Sequence, residues 1–285
     1  MVNRILFSLI LLGTAFLVAV VFSACRNECR SCKDLTVEEL SIPKDIRGVI
    51  IEGAWDVIIT QDSSENTASI EYCKGLKGKI THTLLPNGYL HIKLSLSGSQ
   101  CYDGVFRANI NAVCLERIEA SGASDIRTYG HFCSLKDISL SGASSVNGLS
   151  CEGFAAKIDL SGASILKAFT FFGNSIDAEI SGASEMRFNT IDIDYCAVNL
   201  SGASIFSGGG YAVKTIFDAS GASDFKTFNL ESENLDIDLS GASEAEVTVN
   251  NTIKGRITGA STLRYRGGAN VSGVSTSGAS SIKPL

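Results

Sequence analysis

Five carboxylates, Glu119, Asp159, Glu179, Asp218 and Asp238, each stand two residues ahead of a repeated Ser-Gly-Ala-Ser or Ser-Gly-Ala pattern. If the chain stacks these positions, the charges repel, and a cation between them would relieve the repulsion. A calcium ladder is the chemistry such a column could do. Calcium takes about six to eight oxygens at one place, and Ser139, Asn199 and Arg256 interrupt the column. The Gly- and Asp-rich nonapeptide of calcium-binding β-rolls is absent. A solvated outer face is the favoured reading. The column stays a candidate weak cation or ligand strip, with no metal or cofactor expected. Further acids, Asp125, Glu185, Asp224 and Glu244, follow one corner away.

Other chemistry is thinly supported. The two Ser columns and the Ala column of the repeat form a lattice that could face an extended glycan or ice, but corner packing is the simpler use. Phe169, Phe171, Phe172, Phe188, Phe206, Phe225 and Phe228 recur in the middle coils. The repeat phase puts Phe206 and Phe225 inside, and most of the set reads as core. Tyr129, Tyr211 and Tyr265, with Arg264 and Arg266, are better surface candidates. The chain has three His, at positions 82, 91 and 131. No Ser–His–Asp arrangement is apparent, and the regular spacing leaves no insertion to build a cleft, so an enzyme is not expected. The formal charge is −6 without a long basic run, which gives nucleic acid no electrostatic footprint.

The first 24 residues read as an export signal: Arg4, an uncharged apolar run from Ile5 to Phe22, then Ser23-Ala24. Phe22 to Cys25 resembles a bacterial lipobox, with Phe where Leu is usual. Cys25 is the expected lipidation site, so the partner there is a membrane reached through a lipid anchor; an uncleaved membrane anchor is the alternative. The eight other cysteines permit disulfides, but pairing cannot be read from sequence. Cys29-x-x-Cys32 has metal-ligand spacing without a second pair nearby. A structural disulfide or reduced thiols are the simpler readings.

The elements that must position these residues follow from a period. SGAS starts at Ser121, Ser141, Ser161, Ser181, Ser201, Ser220, Ser240 and Ser277, and TGAS at Thr258, with spacings of 18–20 residues. Such a period marks a solenoid. Relative to the first Ser, positions −3, −1 and +5 are almost wholly apolar, and −2 is polar. That is the period-2 alternation of a strand with one buried face. Gly inside a helix would cost roughly 1 kcal/mol, against a helical reading. Each repeat is therefore read as a strand, a corner and a second strand, with a third segment closing the coil, for example through Phe154 and Phe172. The fold is all-β: a parallel β-helix, right-handed by precedent, of about nine SGAS coils with an irregular N-terminal β cap. At about 4.8 Å per coil it would be a rod of about 43 Å.

The structural corners are Ser121, Gly122, Ser141, Gly142, Ser161, Gly162, Ser181, Gly182, Ser201, Gly202, Ser220, Gly221, Ser240, Gly241, Gly259, Ser277 and Gly278. Gly supplies positive φ or room, Ala suits the point where the coil turns inward, and the Ser hydroxyls can bond backbone in the bend or form ladders. The expected organisation is a signal at 1–24, a lipid-anchored linker at 25–35, a cap at 36–117 and the repeat at 118–285. Within the cap, His82 to Gly98 reads as a hairpin turning at Pro86-Asn87-Gly88, where Asn-Gly favours a primed turn.

The segments GAWDVIITQ and PNGYLHIKLS and the iterated LSGAS resemble the head GIN domain family of auto-transporter adhesins, over about residues 40–285. The resemblance implies an exported β-helical protein of the Bacteroidetes lipoprotein type, with no catalytic residues to carry over. The near-perfect SGAS departs from the looser family pattern. The expected function is an envelope-anchored adhesin that binds a polymeric ligand, a glycan or a surface protein, on the outer membrane. The alternative is a periplasmic scaffold without an external ligand; a polysaccharide-active enzyme comes third. RNEC after the lipobox lacks an acidic cluster, which weakens an outward-facing placement. Oligomeric state is not legible.

Overall fold

The computed structural model describes residues 30–285 except 33, 43–45, 62–63, 97–101 and 104–105. Cys25, Cys29, Cys101 and the expected signal at 1–24 lie outside the described residues. The rest is an all-β solenoid of stacked parallel coils; its nine repeat corners enclose about eight turns.

From Ser150–Leu160 onward each coil is nearly continuous strand, through Ile165–Ile180, Glu185–Leu200, Ile205–Ala219, Asp224–Leu239 and Glu244–Ile257. Each pairs in parallel with the next, and like positions meet: Ile158↔Ala178↔Val198↔Phe217↔Ile237 and Leu160↔Ile180↔Leu200↔Ala219↔Leu239. The −3, −1 and +5 columns are buried from the first repeat until the last coil, except at the half-buried Gly255; in the last coil Thr276 is exposed and Val274 and Ile282 are half-buried. Among the described residues nothing stacks on that coil. Phe206 packs against Phe188, Phe217 and Phe225 at ring separations of 4.8–6.0 Å. The third side of the coil is filled by Cys151, Phe171, Ile191 and Leu230, not by Phe154 and Phe172, which point outward.

The expected cap is partly coil. Gly48–Gly53 and Asp56–Gln61 flank Gly53 as the two strands of a first turn, and they lie in parallel on Arg117–Gly122 and Asp125–Tyr129. The 69 residues from Gly53 to Gly122 contain an insertion that closes this end. Tyr89–Leu94 and Arg107–Ala112 lie parallel beneath the first turn. Antiparallel strands then cover them: Ile80–Leu84 on one, and Thr67–Cys73 followed by Leu35–Leu40 on the other. A Cys32–Cys73 disulfide ties the start of the described chain to this layer. Trp55, buried, meets Phe106 edge-on at 5.8 Å. The hairpin turns at the predicted place but not with a primed turn. Gly88 N–H donates to Leu85 O and Leu85 N–H to Tyr89 O, and only Gly88 has positive φ. Both central residues of a type I′ turn need positive φ; one alone marks the three-residue loop with a bulge.

Candidate binding face

The corners are scaffold. At Gly162, φ is +78°, and a Cβ there would stand 2.6 Å from the Gly142 carbonyl oxygen of the coil below. The close approach lets each Ala N–H donate to the Gly carbonyl one coil down, at 2.7 Å from Ala123 on Gly53 to Ala279 on Gly259. The two Ser of each motif differ. The second is buried in every motif but the last (Ser124, Ser144, Ser164, Ser184, Ser204, Ser223, Ser243, Ser261). Ser223 shows its work: Oγ donates to Ser220 O at 2.9 Å and accepts from Ser204 N–H at 3.4 Å. The corner Ala, read as turning inward, is exposed in every motif. The buried column therefore consists of hydroxyls, which satisfy corner backbone groups that Ala could not.

The acidic positions stack as one ladder, Glu119↔Ser139↔Asp159↔Glu179↔Asn199↔Asp218↔Asp238↔Arg256, on the outer face. Counter-ions sit beside it. Arg117 pairs with Glu119 at 2.8 Å, Lys157 with Asp159 at 3.0 Å and Arg256 with Asp238 at 3.0 Å. Asp218 is pushed above the usual carboxylate range by burial and then by Asp238. Acid and base two residues apart share a strand face, and Arg187–Glu185 and Lys226–Asp224 repeat this in the second acidic set. Among the described residues no three His, Cys, Asp or Glu cluster as a metal site.

A face the sequence did not single out lies on another bend. Four consecutive coils each place one aromatic side chain there: Phe154, Phe172, Tyr195 and Tyr211. Phe154 is 81% exposed, Phe172 43% and Tyr195 38%. The register sets Glu152↔Phe172↔Asp192↔Tyr211↔Glu231 in one column and Ala155↔Ser175↔Tyr195↔Lys214↔Asn234 in another. Val213, Asp194 and Glu233 lie among them, and Asn174 Nδ2–H donates to Asp194 at 3.0 Å. Burial, followed by Glu233, raises the Tyr211 hydroxyl above its ordinary pKa. Of the sequence candidates only Tyr211 and Phe172 belong to this face. Tyr129 is exposed elsewhere, Arg264 pairs with Glu244 and Glu246, and Arg266 lies over the Phe228 ring at 4.2 Å.

A groove of about 600 Å³ opens at the N-terminal end of this face, under Phe154. His131–Phe132 pairs with Ser150 and Cys151, and Asp137–Leu140 with Lys157–Leu160. Between them the first coil has four residues, 133–136, where the next has five, 152–156. The mismatch leaves 152–156 without a ladder partner on that side. Leu135, Gly153, Ala155 and Ala156 line the groove, with Lys136, Lys157 and Asp177 among its polar groups. The sequence offered no signal for it, since both coils span 20 residues from motif to motif and the extra residue at 152–156 is offset by one fewer between Ser141 and Ser150.

Among the described residues no helix is long and apolar enough to cross a membrane. Comparison with curated proteins gives no match. Among solved structures the chain is similar to a protein of Parabacteroides distasonis described as a putative lipid binding protein, at a TM-score of 0.67 and 15% identity, covering 90% of this chain and 100% of that one. It is also similar to proteins described as putative adhesins. One, from Parabacteroides merdae, has a TM-score of 0.64 and 16% identity over 90% of this chain and 98% of that one. Another, from Parabacteroides distasonis, has a TM-score of 0.66 and 17% identity over 90% and 100%. At these identities the likeness is one of fold. The sequence itself matches a family over residues 45–269, most of the solenoid and its closing layer, and by that match the chain belongs to the family described as putative auto-transporter adhesin, head GIN domain.

Proposed function

We propose that the protein is an envelope-anchored adhesin that binds a polymeric glycan along the exposed aromatic bend. The observation that carries this reading is an aromatic side chain on each of four consecutive coils, three exposed and Tyr211 half-buried, with carboxylates between them. Ring faces suit the apolar faces of sugars, carboxylates accept hydrogen bonds from sugar hydroxyls, and a solenoid repeats both along its axis. Five acids, Glu152, Asp192, Asp194, Glu231 and Glu233, favour a neutral chain over an anionic one. Cys25 would carry the lipid that holds the rod at the outer membrane.

Affinity electrophoresis in gels containing neutral polysaccharides tests the face. The parent should be retarded by at least one polymer, and Phe154→Ala/Tyr195→Ala should run free with its melting temperature unchanged. Equal retardation of parent and variant would remove the aromatic bend from the reading. The second reading, a periplasmic scaffold, is favoured by the absence of acids clustered after Cys25. Protease access to an internal tag on intact and lysed cells separates the two. Access only after lysis would exclude host adhesion.

A further inference from the structure

Six cysteines lie among the described residues, and they fall into three pairs. Cys32 and Cys73 are bridged. Cys151 and Cys196 are buried in the core, and burial pushes both thiols up to about 12. Thiols that titrate so high hold almost no thiolate near neutral pH and are unreactive. Cys114 and Cys133 differ from both pairs. They are free, Cys133 is exposed and Cys114 half-buried, and their Sγ atoms are 3.8 Å apart.

The backbone explains the approach. Cys114 precedes Arg117–Gly122 by three residues, and Cys133 precedes Asp137–Leu140 by four. Those strands are neighbours, with Arg117 opposite Asp137, and Lys136 N–H donates to Glu116 O at 2.8 Å. Two chain segments side by side at coil spacing fall within the Cα separation a disulfide spans, about 4.4–6.8 Å. Bond formation brings the sulfurs from 3.8 Å to the bonded distance of about 2.05 Å. An existing disulfide in the same chain fits a protein that matures where disulfides persist.

We propose that Cys114 and Cys133 form a second disulfide, made by exchange with an oxidised disulfide donor at Cys133. The bond joins the end of the N-terminal insertion to the coil after it. Access decides the order of events. Cys133 borders the groove under Phe154, which gives the donor room, whereas Cys114 is shielded. The Cys133 thiolate attacks one sulfur of the donor R–S–S–R and expels R–S⁻. The Cys114 thiolate then attacks Cys133 Sγ in the mixed disulfide and expels the second R–S⁻. The two thiol protons end on the leaving thiolates, so the donor is reduced by two electrons to two R–SH. The cysteine pair is oxidised by the same two electrons.

The test uses the full chain treated with glutathione disulfide, quenched with acid, alkylated in denaturant and mapped by mass spectrometry. The expected map contains a Cys114–Cys133 crosslinked peptide beside Cys32–Cys73, with Cys151 and Cys196 alkylated. In Cys133→Ser, an exposed position, Cys114 should be alkylated in full. Alkylated Cys114 and Cys133 in a parent sample whose Cys32–Cys73 link is intact would overturn the proposal. So would Cys114 crosslinked to any other cysteine.

Discussion

From the first turn, Gly48–Gly53 and Asp56–Gln61, and again from 117 to 266, each coil rests on a near copy of itself; the strands of the insertion and of Leu35–Leu40 have no such copy. The repeated part meets the close contacts of stacking with one device, a Gly at positive φ under the next Gly and a buried Ser hydroxyl beside it. The insertion relies on antiparallel pairing, a disulfide and the Trp55–Phe106 contact. A repeat propagates a solution from coil to coil, and each coil's burial depends on its neighbours. The N-terminal end is closed by a non-repeating layer with antiparallel strands outermost. The last C-terminal coil keeps its apolar columns half-open.

The sharpest way to break this contrast is to put the same side chain on a glycine of each region. Gly162→Val meets positive φ and the backbone of the coil below. Left-handed strain and overpacking together should cost about 3 kcal/mol or more. Gly75, in the short 3₁₀ segment Lys74–Lys79 of the insertion, has open space around it. Gly75→Val should change stability by about 0.5 kcal/mol or less. Thermal melts of the two variants decide it; similar losses would show that the corner ladder is no tighter than a loop.

A smaller effect separates the middle of the repeat from its end. Ser223→Ala removes a buried hydroxyl that serves Ser220 O and Ser204 N–H, a loss of about 1–3 kcal/mol. Ser280→Ala removes a bond of the same kind to Ser277 O, but on the half-open last coil. There water replaces the hydroxyl, and the cost should fall below about 1 kcal/mol. Chemical denaturation of both variants would refute this view of the end if the two losses match.

The smallest effect is one of pH and has opposite signs where the insertion meets the first turn and in the middle of the repeat. Glu52 is held below its ordinary pKa first by the Lys93 ammonium at 2.7 Å and also by His91 at 3.0 Å. Its contribution is therefore present above the unfolded carboxylate pKa and lost as pH falls through the folded one. Asp218 is raised by burial, so its ionisation opposes folding at neutral pH, and that penalty disappears on acidification. Glu52→Gln should melt below the parent at pH 7 and Asp218→Asn above it, with the Glu52 difference narrowing as pH falls below the ordinary Glu value of 4.5 and the Asp218 difference narrowing as pH falls toward the ordinary Asp value of 3.8. Shifts of the same sign would contradict the assignment.

Much of the repeat was legible because strand side chains alternate strictly. Ile118, Ile138 and Ile158 announce a buried column, and Glu119 and Asp159 an outward one, before any coordinates exist. Within the bend alternation fails. Phe154 and Phe172 sit in apolar-looking stretches yet project into solvent, where the chain curves through several outward-facing residues in succession. The second Ser bonds corner backbone as expected, but the Ala faces out rather than in, because backbone demand for hydrogen bonds, not hydropathy, decides what a tight corner buries.

The sequence by itself determined the period, the strand–corner–strand unit and the columns of the core, since these depend on local alternation and on what Gly alone can do. Tertiary structure alone decided that Gly53, 69 residues ahead of Gly122, opens the same ladder. It also brought Cys114 within 3.8 Å of Cys133 and lined four aromatic side chains along one bend. Those juxtapositions depend on which coil lies on which and on where within a coil a residue is added or dropped. Such differences change no local preference but shift every contact made between neighbours.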